Sequence, residues 1–531
     1  MYLNHYYYVN LTKLKLIYNT VKHLRFKQIY FRLFYAVRNK FFKRTYSKNL
    51  PTGVKSINWE NKVLYSESYL GEERFNFLNI EHDFQSQINW NYNDYGKLWT
   101  YNLNYFDFLN QENFVREQGI ALIEDYIKQD VELKDGKDPY PISLRTINWI
   151  KFLSQNKISN QKINQTLYNH FQILLHNLEF HILGNHLLEN AFALFFGGIY
   201  FNDKKLSSTA SKLLKQELNE QLLEDGAHFE LSPMYHKILL HRLLDCIYLA
   251  HQNKKSVSSE FIVLLEAKAI KMLSWLQTVT FNNGSIPMVN DSAYKIALSS
   301  AQLFTYAKQL NLKWSVTELR DSGYRKFSNE TLEVFMDVGK LAVDYQPGHA
   351  HADTFSFVYH SKNNSIIVDP AVSTYEINKI RERERSTGYH NTVTVHQQNS
   401  SQVWSGFRVA KRANVKLELD TPTKIIASHN GYKGCTHTRT FNLDNDILNI
   451  HDKIEPDENG EAHFHFHPDC SVQLIEDEKL IVNNIEMTFF DYNQLKIEDY
   501  HFANGFNTTI IAKKVVVLFT EKVRTEIKVI S

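Results

Sequence analysis

The segment PGHAHADTFSFVYH, residues 347–360, carries three titratable side chains at a two-residue spacing. On a strand this spacing puts His349, His351 and Asp353 on one face, because side chains two residues apart point the same way. Three such groups are costly to bury unless they are paired or bind a metal ion. The segment therefore predicts a cluster with a chemical role directly after a Pro-Gly turn.

Two later motifs supply partners for this cluster. SIIVDP places Asp369 at the end of the next predicted strand, and STGYHNTVTV places His390 at the start of another. Two imidazoles and one carboxylate, with a position left for water, are a donor set that suits zinc. We therefore predict that His351, Asp369 and His390 bind one divalent cation, zinc first and calcium as the alternative. The competing interpretation is that these are satisfied core residues.

The helical part of the sequence offers two further polar clusters. In GNHLLENAFAL, Asn185 and His186 open an otherwise apolar helix, where Asn185 is either an N-cap or a functional amide. In EDGAHFELSPMYH, a connection that contains Gly and Pro places Glu230 and Tyr235 at the start of the next predicted helix. A lone Tyr in such a place more often packs than catalyses. We expect His186 and Glu230 to contact a ligand.

Two charged or His-rich runs have simpler explanations. Most charges of RERERSTGYHNT, residues 381–392, predict a solvated face, although Arg385 could hold an anionic ligand through its planar guanidinium. AHFHFHP, residues 462–468, aligns three His residues, but an aromatic-rich sheet face explains that pattern adequately.

The periodicity of the apolar residues changes near residue 328. Between residues 95 and 327 they recur every three or four positions, as in YHKILLHRLLDCIYLAHQ, which predicts many helices with short connections. From residue 328 to 531 they alternate, as in NTVTVHQ and VVVLFTE, with NN, NG and DN turns between them. Successive strands without helices predict packed antiparallel sheets. The expected fold class is α+β with two domains, after a basic and aromatic lead-in over residues 1–94.

Composition excludes several classes of protein. The chain has 531 residues, 43% of them hydrophobic, so wholesale disorder is excluded. Its 60 Lys and Arg against 58 Asp and Glu give no global field for a polyanion, so we predict no nucleic-acid partner. Its three cysteines are widely spaced with no C-x-x-C, which argues against a disulfide framework.

The N-terminal stretch, residues 1–44, interleaves Lys and Arg with aromatic side chains and never sustains the apolar core of a secretory signal. It either packs on the body as an amphipathic helix, which we favour, or makes a peripheral contact with an anionic membrane or a partner. The longest apolar run, AFALFFGGIYF, is too short for a transmembrane segment and predicts a buried helix.

Five short motifs follow one another along the chain: N-H-L-x-x-N, D-G-x-x-x-E-x-S-P-x-Y-H, G-H-A-H-A-D, V-D-P and Y-H-N-T-V. In this order they resemble the heparinase II/III family of polysaccharide lyases and the related alginate lyases. The resemblance spans about residues 95–450. It implies an incomplete (α/α) toroid followed by an antiparallel β-sandwich. It also implies that Asn185 neutralises a uronate carboxylate, that Tyr235 is the general acid, and that His349 is the partnering base or stabiliser. By the same route His351, Asp369 and His390 resemble metal ligands with a structural role.

The implied chemistry is β-elimination on a uronic-acid-containing glycan such as a glycosaminoglycan, which leaves a 4,5-unsaturated uronate. The expected partner is an acidic polysaccharide, and signal-less chains with similar motifs resemble proteins of bacterial surface-polysaccharide assembly. A cytoplasmic location is expected from the missing signal, and a periplasmic one is the alternative that the resemblance implies. The other functions left open are a non-catalytic glycan-binding or assembly protein, and a hydrolase that uses Asp225 with Glu230.

Overall fold

A computed structural model gives the fold of the chain and describes residues 13–42, 46–51, 54, 57–60, 62–476 and 478–530. Residues 1–12, 43–45, 52, 53, 55, 56 and 61 of the predicted basic and aromatic lead-in lie outside the described residues. Residues 13–21 are helical and lead into helix α1, Phe26–Phe41. Among the residues described, no helix combines the length and the apolar character needed to cross a bilayer.

The first half is built mainly from helices with local sequence signals at their ends. Asn160, Asp203 and Ser258 cap three of them, each with a side-chain oxygen that accepts backbone N–H groups of the first turn. The helices after α1 are α2 Lys97–Tyr105, α3 Arg116–Lys128, α4 Pro139–Gln155, α5 Gln161–His176, α6 Gly184–Tyr200, α7 Lys204–Gln221, α8 Pro233–Gln252, α9 Ser259–Val279, α10 Ser300–Gln309 and, in the second half, α11 Lys379–Glu384.

The strands lie mostly after residue 323. They are β1 Tyr69–Gly71, β2 Arg74–Phe77, β3 Ile80–Asp83, β4 Tyr324–Ser328, β5 Leu332–Asp337, β6 Phe357–Ser361, β7 Asn364–Ile367, β8 Val393–Val395, β9 Val403–Trp404, β10 Arg408–Val409, β11 Val415–Asp420, β12 Lys424–His429, β13 Thr436–Asp444, β14 Ile447–Glu455, β15 Asn459–His465, β16 Val472–Glu476, β17 Lys479–Val482, β18 Ile485–Phe490, β19 Gln494–Ala503, β20 Thr509–Thr520 and β21 Lys522–Val529.

The strands of the second half form stacked antiparallel sheets. An eight-stranded sheet runs β11-β12-β13-β14-β21-β18-β17-β16, and two four-stranded sheets run β19-β20-β15-β8 and β4-β5-β6-β7. The hairpin β13–β14 turns at Asn445, whose φ of 52° is the conformation that an Asn accepts in a tight turn. A single apolar core, with Phe357, Phe441, Phe464 and Ile527 among its members, fills the space between the sheets.

The predicted α+β fold, helical first and antiparallel second, is confirmed. The toroidal arrangement of the helices stays a prediction. The two halves meet through the long connection between α9 and α10. In this connection the backbone N–H of Asp291 donates to the carbonyl of His349, and the side chain of Asn290 accepts from the backbone N–H of His351, at 3.0 and 2.9 Å. The connection therefore holds a loop of the β half against the helical half.

Candidate functional site

Asn185 lies in the first turn of α6 and is not its N-cap. Leu183 holds the cap position without a side-chain hydrogen bond, and Gly184 begins the helix with a φ of 58°. The Asn185 backbone N–H and Nδ2 donate to the two carboxylate oxygens of Glu230, at 3.0 and 2.8 Å. A Cβ on Gly184 would lie 2.1 Å from Glu230 Oε1, so only glycine lets the carboxylate approach this closely. Glu230 therefore fixes the direction of the Asn185 amide.

The prediction that Glu230 contacts a ligand is corrected by the hydrogen bonds that its carboxylate already accepts. The residue is 1% exposed, and its carboxylate is occupied by Asn185. Burial alone would raise the pKa of Glu230, but His228, His349 and the Asn185 N–H groups outweigh it and lower the pKa. Glu230 is thus a buried anion that orients the amide from behind.

Tyr235 lies in the first turn of α8, where Pro233 begins the helix and the Ser232 hydroxyl accepts the Tyr235 backbone N–H at 3.3 Å. Its ring centroid is 4.0 Å from that of His349, and its hydroxyl is 3.4 Å from the hydroxyl of Tyr375. Desolvation among these rings raises the pKa of Tyr235 above its ordinary value, so the phenol keeps its proton at neutral pH.

His349 belongs to a loop, and this corrects the predicted strand. Strand β5 ends at Asp337 and β6 begins at Phe357, so the H-x-H-x-D segment lies between them. Even so, His349 Nε2 lies 3.4 Å from Asn185 Nδ2. The structure thus brings Asn185 and Tyr235 of the helical half together with His349 of the β half, as predicted for their positions.

Asp291 is the main site residue that the sequence did not suggest. Its carboxylate is fully buried and lies 2.9 Å from His349 Nδ1 through Oδ2 and 2.9 Å from His351 Nε2 through Oδ1. Arg381 donates to both oxygens, at 2.5 and 2.7 Å. Burial alone would raise the pKa of Asp291, but Arg381 and the two imidazoles outweigh it and hold the pKa well below its ordinary value. Asp291 is therefore an anion that orients both histidines.

His186 follows Asn185 on α6 and stays partly exposed. Its Nδ1 lies 2.9 Å from Glu179 Oε1, and its ring packs 4.5 Å from that of Tyr140. Burial alone would lower the pKa of His186, but the Glu179 carboxylate outweighs it and raises the pKa. His186 is thus biased toward its cationic form beside the Asn185 amide, which suits the predicted contact with an acidic ligand.

The prediction that Arg385 binds an anionic ligand is corrected. The residue is buried, and its guanidinium donates to the backbone carbonyls of Ala350, Ser405 and Gly406. Burial lowers the pKa of Arg385 to about 9. These contacts hold the loop that carries His349 and leave the guanidinium no ligand role.

The three predicted metal ligands lie in neighbouring loops of the β half. His390 Nδ1 is 2.8 Å from Asp369 Oδ2, and the rings of His351 and His390 are 5.2 Å apart. Across the described part of the chain, His351 Nδ1, His390 Nε2 and Asp353 Oδ2 are buried without a hydrogen-bond partner. An imidazole with one nitrogen on a carboxylate and the other free is the form in which His binds metals. The donor types therefore fit a divalent cation.

The arrangement of these side chains gives that prediction no support. Within the described ranges, no three His, Cys, Asp or Glu side chains are arranged as the ligands of one metal ion.

The hydrolase alternative is weakened, because the Asp225 carboxylate accepts the backbone N–H groups of Ala227, Arg320 and Ser322. His463 and His465 are buried in the sheet beside Thr394 and Asn391, as a structural pattern predicts.

Sequence comparison matches both halves of the chain to one family. The model of the heparinase II/III N-terminus matches residues 141–313, and the heparinase II/III-like C-terminal model matches residues 311–530. A heparin-sulfate lyase of Bacteroides stercoris is 23% identical over 386 residues, 65% of this chain and 55% of that protein. One of Pedobacter heparinus is 24% identical over 356 residues, 59% of this chain and 50% of that protein.

The chain thus spans about half the length of these relatives. Among solved structures, heparinase III superposes with a TM-score of 0.65 at 16% identity, over 93% of this chain and 89% of that one. A heparan sulfate lyase from Pedobacter heparinus gives a TM-score of 0.52 at 17% identity, over 86% of this chain and 81% of that one. These likenesses show the shared fold. Because the two family models together cover residues 141–530, the chain belongs to the heparinase II/III family.

Proposed function

We propose that the chain is a polysaccharide lyase, a carbon–oxygen lyase that cleaves a uronic-acid-containing glycan by β-elimination and leaves a 4,5-unsaturated uronate. The meeting of Asn185, Tyr235 and His349 at one point between the two halves carries this proposal. An amide, a phenol and an imidazole are the groups that the reaction needs. The names of the relatives, heparin-sulfate lyases, support the same reaction class.

The first task in the proposed reaction is to neutralise the uronate carboxylate. The proton at C5 is weakly acidic because its removal gives an enediolate with two negative charges, so a hydrogen-bond donor must offset that charge. The Asn185 amide has two N–H groups, and Glu230 accepts one of them at 2.8 Å. The second N–H of Nδ2 has only the long 3.4 Å contact with His349 Nε2, so it is the donor left for the substrate carboxylate.

Proton transfer then falls to the imidazole and the phenol. Because ionised Asp291 accepts a hydrogen bond from His349 Nδ1, the neutral ring has its lone pair on Nε2. Nε2 takes the C5 proton, the C5–H electron pair forms the C4=C5 double bond, and the C4–O bond breaks. Tyr235 gives its phenolic proton to the departing glycosyl oxygen. The proton on His349 later returns to the Tyr235 phenolate, whose ring is 4.0 Å away, so no water is consumed.

The substrate of this proposal is an acidic polysaccharide. His186, biased toward its cationic form beside Asn185, suits a second contact with a carboxylate or sulfate group. Because the relatives are named heparin-sulfate lyases, a heparan-type glycosaminoglycan is the first substrate to test, followed by unsulfated uronate polymers.

We further propose that His351, Asp369 and His390 hold one divalent cation, with zinc the first choice by donor type. The free buried nitrogens of the two imidazoles support His351 and His390 as ligands, whereas Asp369 contacts His390 Nδ1 and would have to leave that contact to join them. A bound ion would have a structural effect, because it would cross-link the His351 loop to the loops that carry Asp369 and His390. The proton transfers described above use only side chains of the protein.

The mass of the products distinguishes the proposed reaction from hydrolysis. The purified chain is incubated with heparan sulfate and with unsulfated uronate polymers, and the ultraviolet absorbance of the conjugated enoate is followed. Elimination gives fragments whose masses add up to that of the substrate, whereas each hydrolytic cleavage adds one water. Fragments that contain the added water, or binding without cleavage of any uronate polymer, would contradict the proposal.

A further inference from the structure

Helix α1 carries an apolar stripe on the side that faces away from the body. Six side chains recur at positions that fall on one face of a helix and are exposed, and we call them the apolar stripe: Phe26, Tyr30, Leu33, Phe34, Val37 and Phe41. Phe26 is 81% exposed and Phe41 67%. A solvated helix face of this composition is costly in water, so the stripe requires an explanation.

The opposite face of α1 is the one fixed to the protein. Gln28 Nε2 donates to the backbone carbonyl of Ile182 at 3.3 Å. The Tyr35 hydroxyl donates to the backbone carbonyl of Leu178 at 2.7 Å. The ring of Phe31 packs 4.7 Å from that of Phe180. Because these contacts determine how the helix is rotated, the apolar stripe points outward as part of the folded structure.

The preceding helical segment repeats this arrangement. In residues 13–21, Leu14, Tyr18 and Val21 are exposed at three- and four-residue spacing, while the Thr20 hydroxyl accepts the indole N–H of Trp404 at 3.1 Å. Residues 13–42 hold 12 of the 29 large apolar side chains that are exposed in the described ranges. The exposed apolar surface of the chain is therefore concentrated in this short segment.

The N-terminal part of the chain, which includes these two helical parts, is basic. Residues 1–59 contain twelve Lys and Arg and no Asp or Glu, so the rest of the chain has 48 basic against 58 acidic residues. Lys15, Lys27 and Arg32 are exposed on the two helical parts, and Lys22 is exposed in the turn between them. The occupant of this face must therefore be anionic and must also accept Phe, Leu and Val side chains.

We propose that residues 13–42 bind the surface of an anionic lipid bilayer, with the apolar stripe in the interface and the cations on the headgroups. Amphipathic helices bind such membranes by this combination, and each Lys or Arg near the surface adds to the attraction. A second copy docked on the same face would put two sets of cations opposite each other. An acidic polysaccharide would leave the apolar stripe in water.

Vesicle sedimentation with the full chain tests this proposal. Wild type is mixed with vesicles of phosphatidylcholine alone or with about one third phosphatidylglycerol, at low and high salt. We expect at least tenfold stronger binding to the anionic vesicles and a marked loss at high salt, because the attraction to headgroups is screened. The triple variant Phe26→Gln, Leu33→Gln, Phe41→Gln should bind at least tenfold less.

The matched control removes exposed apolar side chains elsewhere. Val131 and Ile377 are 90% and 72% exposed, so the variant Val131→Gln, Ile377→Gln should bind vesicles as wild type does. Unfolding midpoints of all variants should stay near that of wild type, since the changed side chains are exposed. Equal binding to neutral and anionic vesicles, or equal loss in both variants, would overturn the proposal. Two other results would also overturn it. In each, the wild type does not bind vesicles, and the triple variant abolishes either binding of soluble heparin or self-association measured by light scattering.

Discussion

His349 and Asp291 form a hydrogen-bonded pair across the boundary between the two halves, with Nδ1 of the imidazole 2.9 Å from Oδ2 of the buried carboxylate. Arg381 binds both carboxylate oxygens from the other side. Since an ionised carboxylate only accepts hydrogen bonds, the pair sets which nitrogen of His349 carries the proton. The proposed base, Nε2, depends on a residue of the loop between α9 and α10.

Asp291→Asn should lower kcat by about 10²- to 10⁴-fold with a small change in KM. An amide in this place can donate to Nδ1 and so favours the tautomer with its proton on Nε2, and loss of the correct tautomer has effects of this size in other enzymes. Initial rates of enoate formation, taken well below the unfolding temperature of the variant, measure the change.

Asp452→Asn is the matched control for the cost of breaking a buried ion pair. Asp452 accepts from Arg439 at 2.7 and 2.9 Å and lies 2.7 Å from His437, inside the sandwich. Both variants should lose about 3–5 kcal/mol of stability, because each leaves a buried arginine uncompensated. Only Asp291→Asn should lose turnover in its folded form. Equal rate losses in the two variants would show that Asp291 acts through stability alone.

Tyr235→Phe should abolish enoate formation while the glycan still binds. The change removes the phenolic proton that the proposed step gives to the leaving oxygen and keeps the ring that packs against His349. The control is Tyr375→Phe, which removes the neighbouring hydroxyl 3.4 Å away. We expect it to keep most of its kcat. Affinity measured by calorimetry with inactive protein separates binding from turnover, and a Tyr235→Phe variant with the wild-type rate would exclude the phenol as acid.

The sequence predicted the parts of this molecule that local patterns determine. Three- and four-residue periodicity predicted helices such as α8, and alternation predicted strands such as β20. Asn185, Tyr235 and His349 were assigned because each lies in a short motif that resembles one of the heparinase II/III family. Their meeting point could be expected from the order of the motifs, although H-x-H-x-D was placed on a strand and lies in a loop.

The residues that were missed or misassigned depend on tertiary contacts. Asp291 lies in an N-D-S stretch without periodicity, and such residues usually indicate a turn. Its burial under two histidines comes from packing between the halves. Arg385 was assigned to a ligand, but its guanidinium donates to backbone carbonyls. A run of charged residues does not show which of its arginines is used in this way. Glu230 was likewise assigned to a ligand, because a motif does not show whether a carboxylate faces the substrate or accepts the hydrogen bonds of Asn185.

Removal of His351 or His390 should lower the metal content of the purified chain. We expect about one divalent ion per wild-type chain by elemental analysis, and well below one for His351→Ala and for His390→Ala. Both variants should also melt at lower temperature, because bound metal contributes to folding stability. His463→Ala removes a buried histidine of the sheet and should keep the metal. A wild type without metal after purification in zinc-containing buffer would contradict the assignment.

Glu384→Gln should change how stability depends on pH. Glu384 is buried and accepts two hydrogen bonds from Ser373, and burial raises its pKa to about 7, although Ser373 and Arg381 oppose the rise. Between the ordinary pKa near 4.5 and about 7, the folded chain binds a proton that the unfolded chain has lost. Stability from this group is therefore complete below that window and is lost as the pH rises through it.

The glutamine side chain cannot ionise, so the variant should lack this loss. From pH 5 to pH 8, wild type should lose about 2.5 kcal/mol relative to Glu384→Gln, at about 1.4 kcal/mol for each pKa unit. Urea unfolding midpoints at four pH values between these limits give the difference directly. Glu382→Gln changes an exposed residue on the same short helix and should follow the wild-type curve. Parallel curves for wild type and Glu384→Gln would mean that Glu384 is already ionised in the folded chain at pH 5.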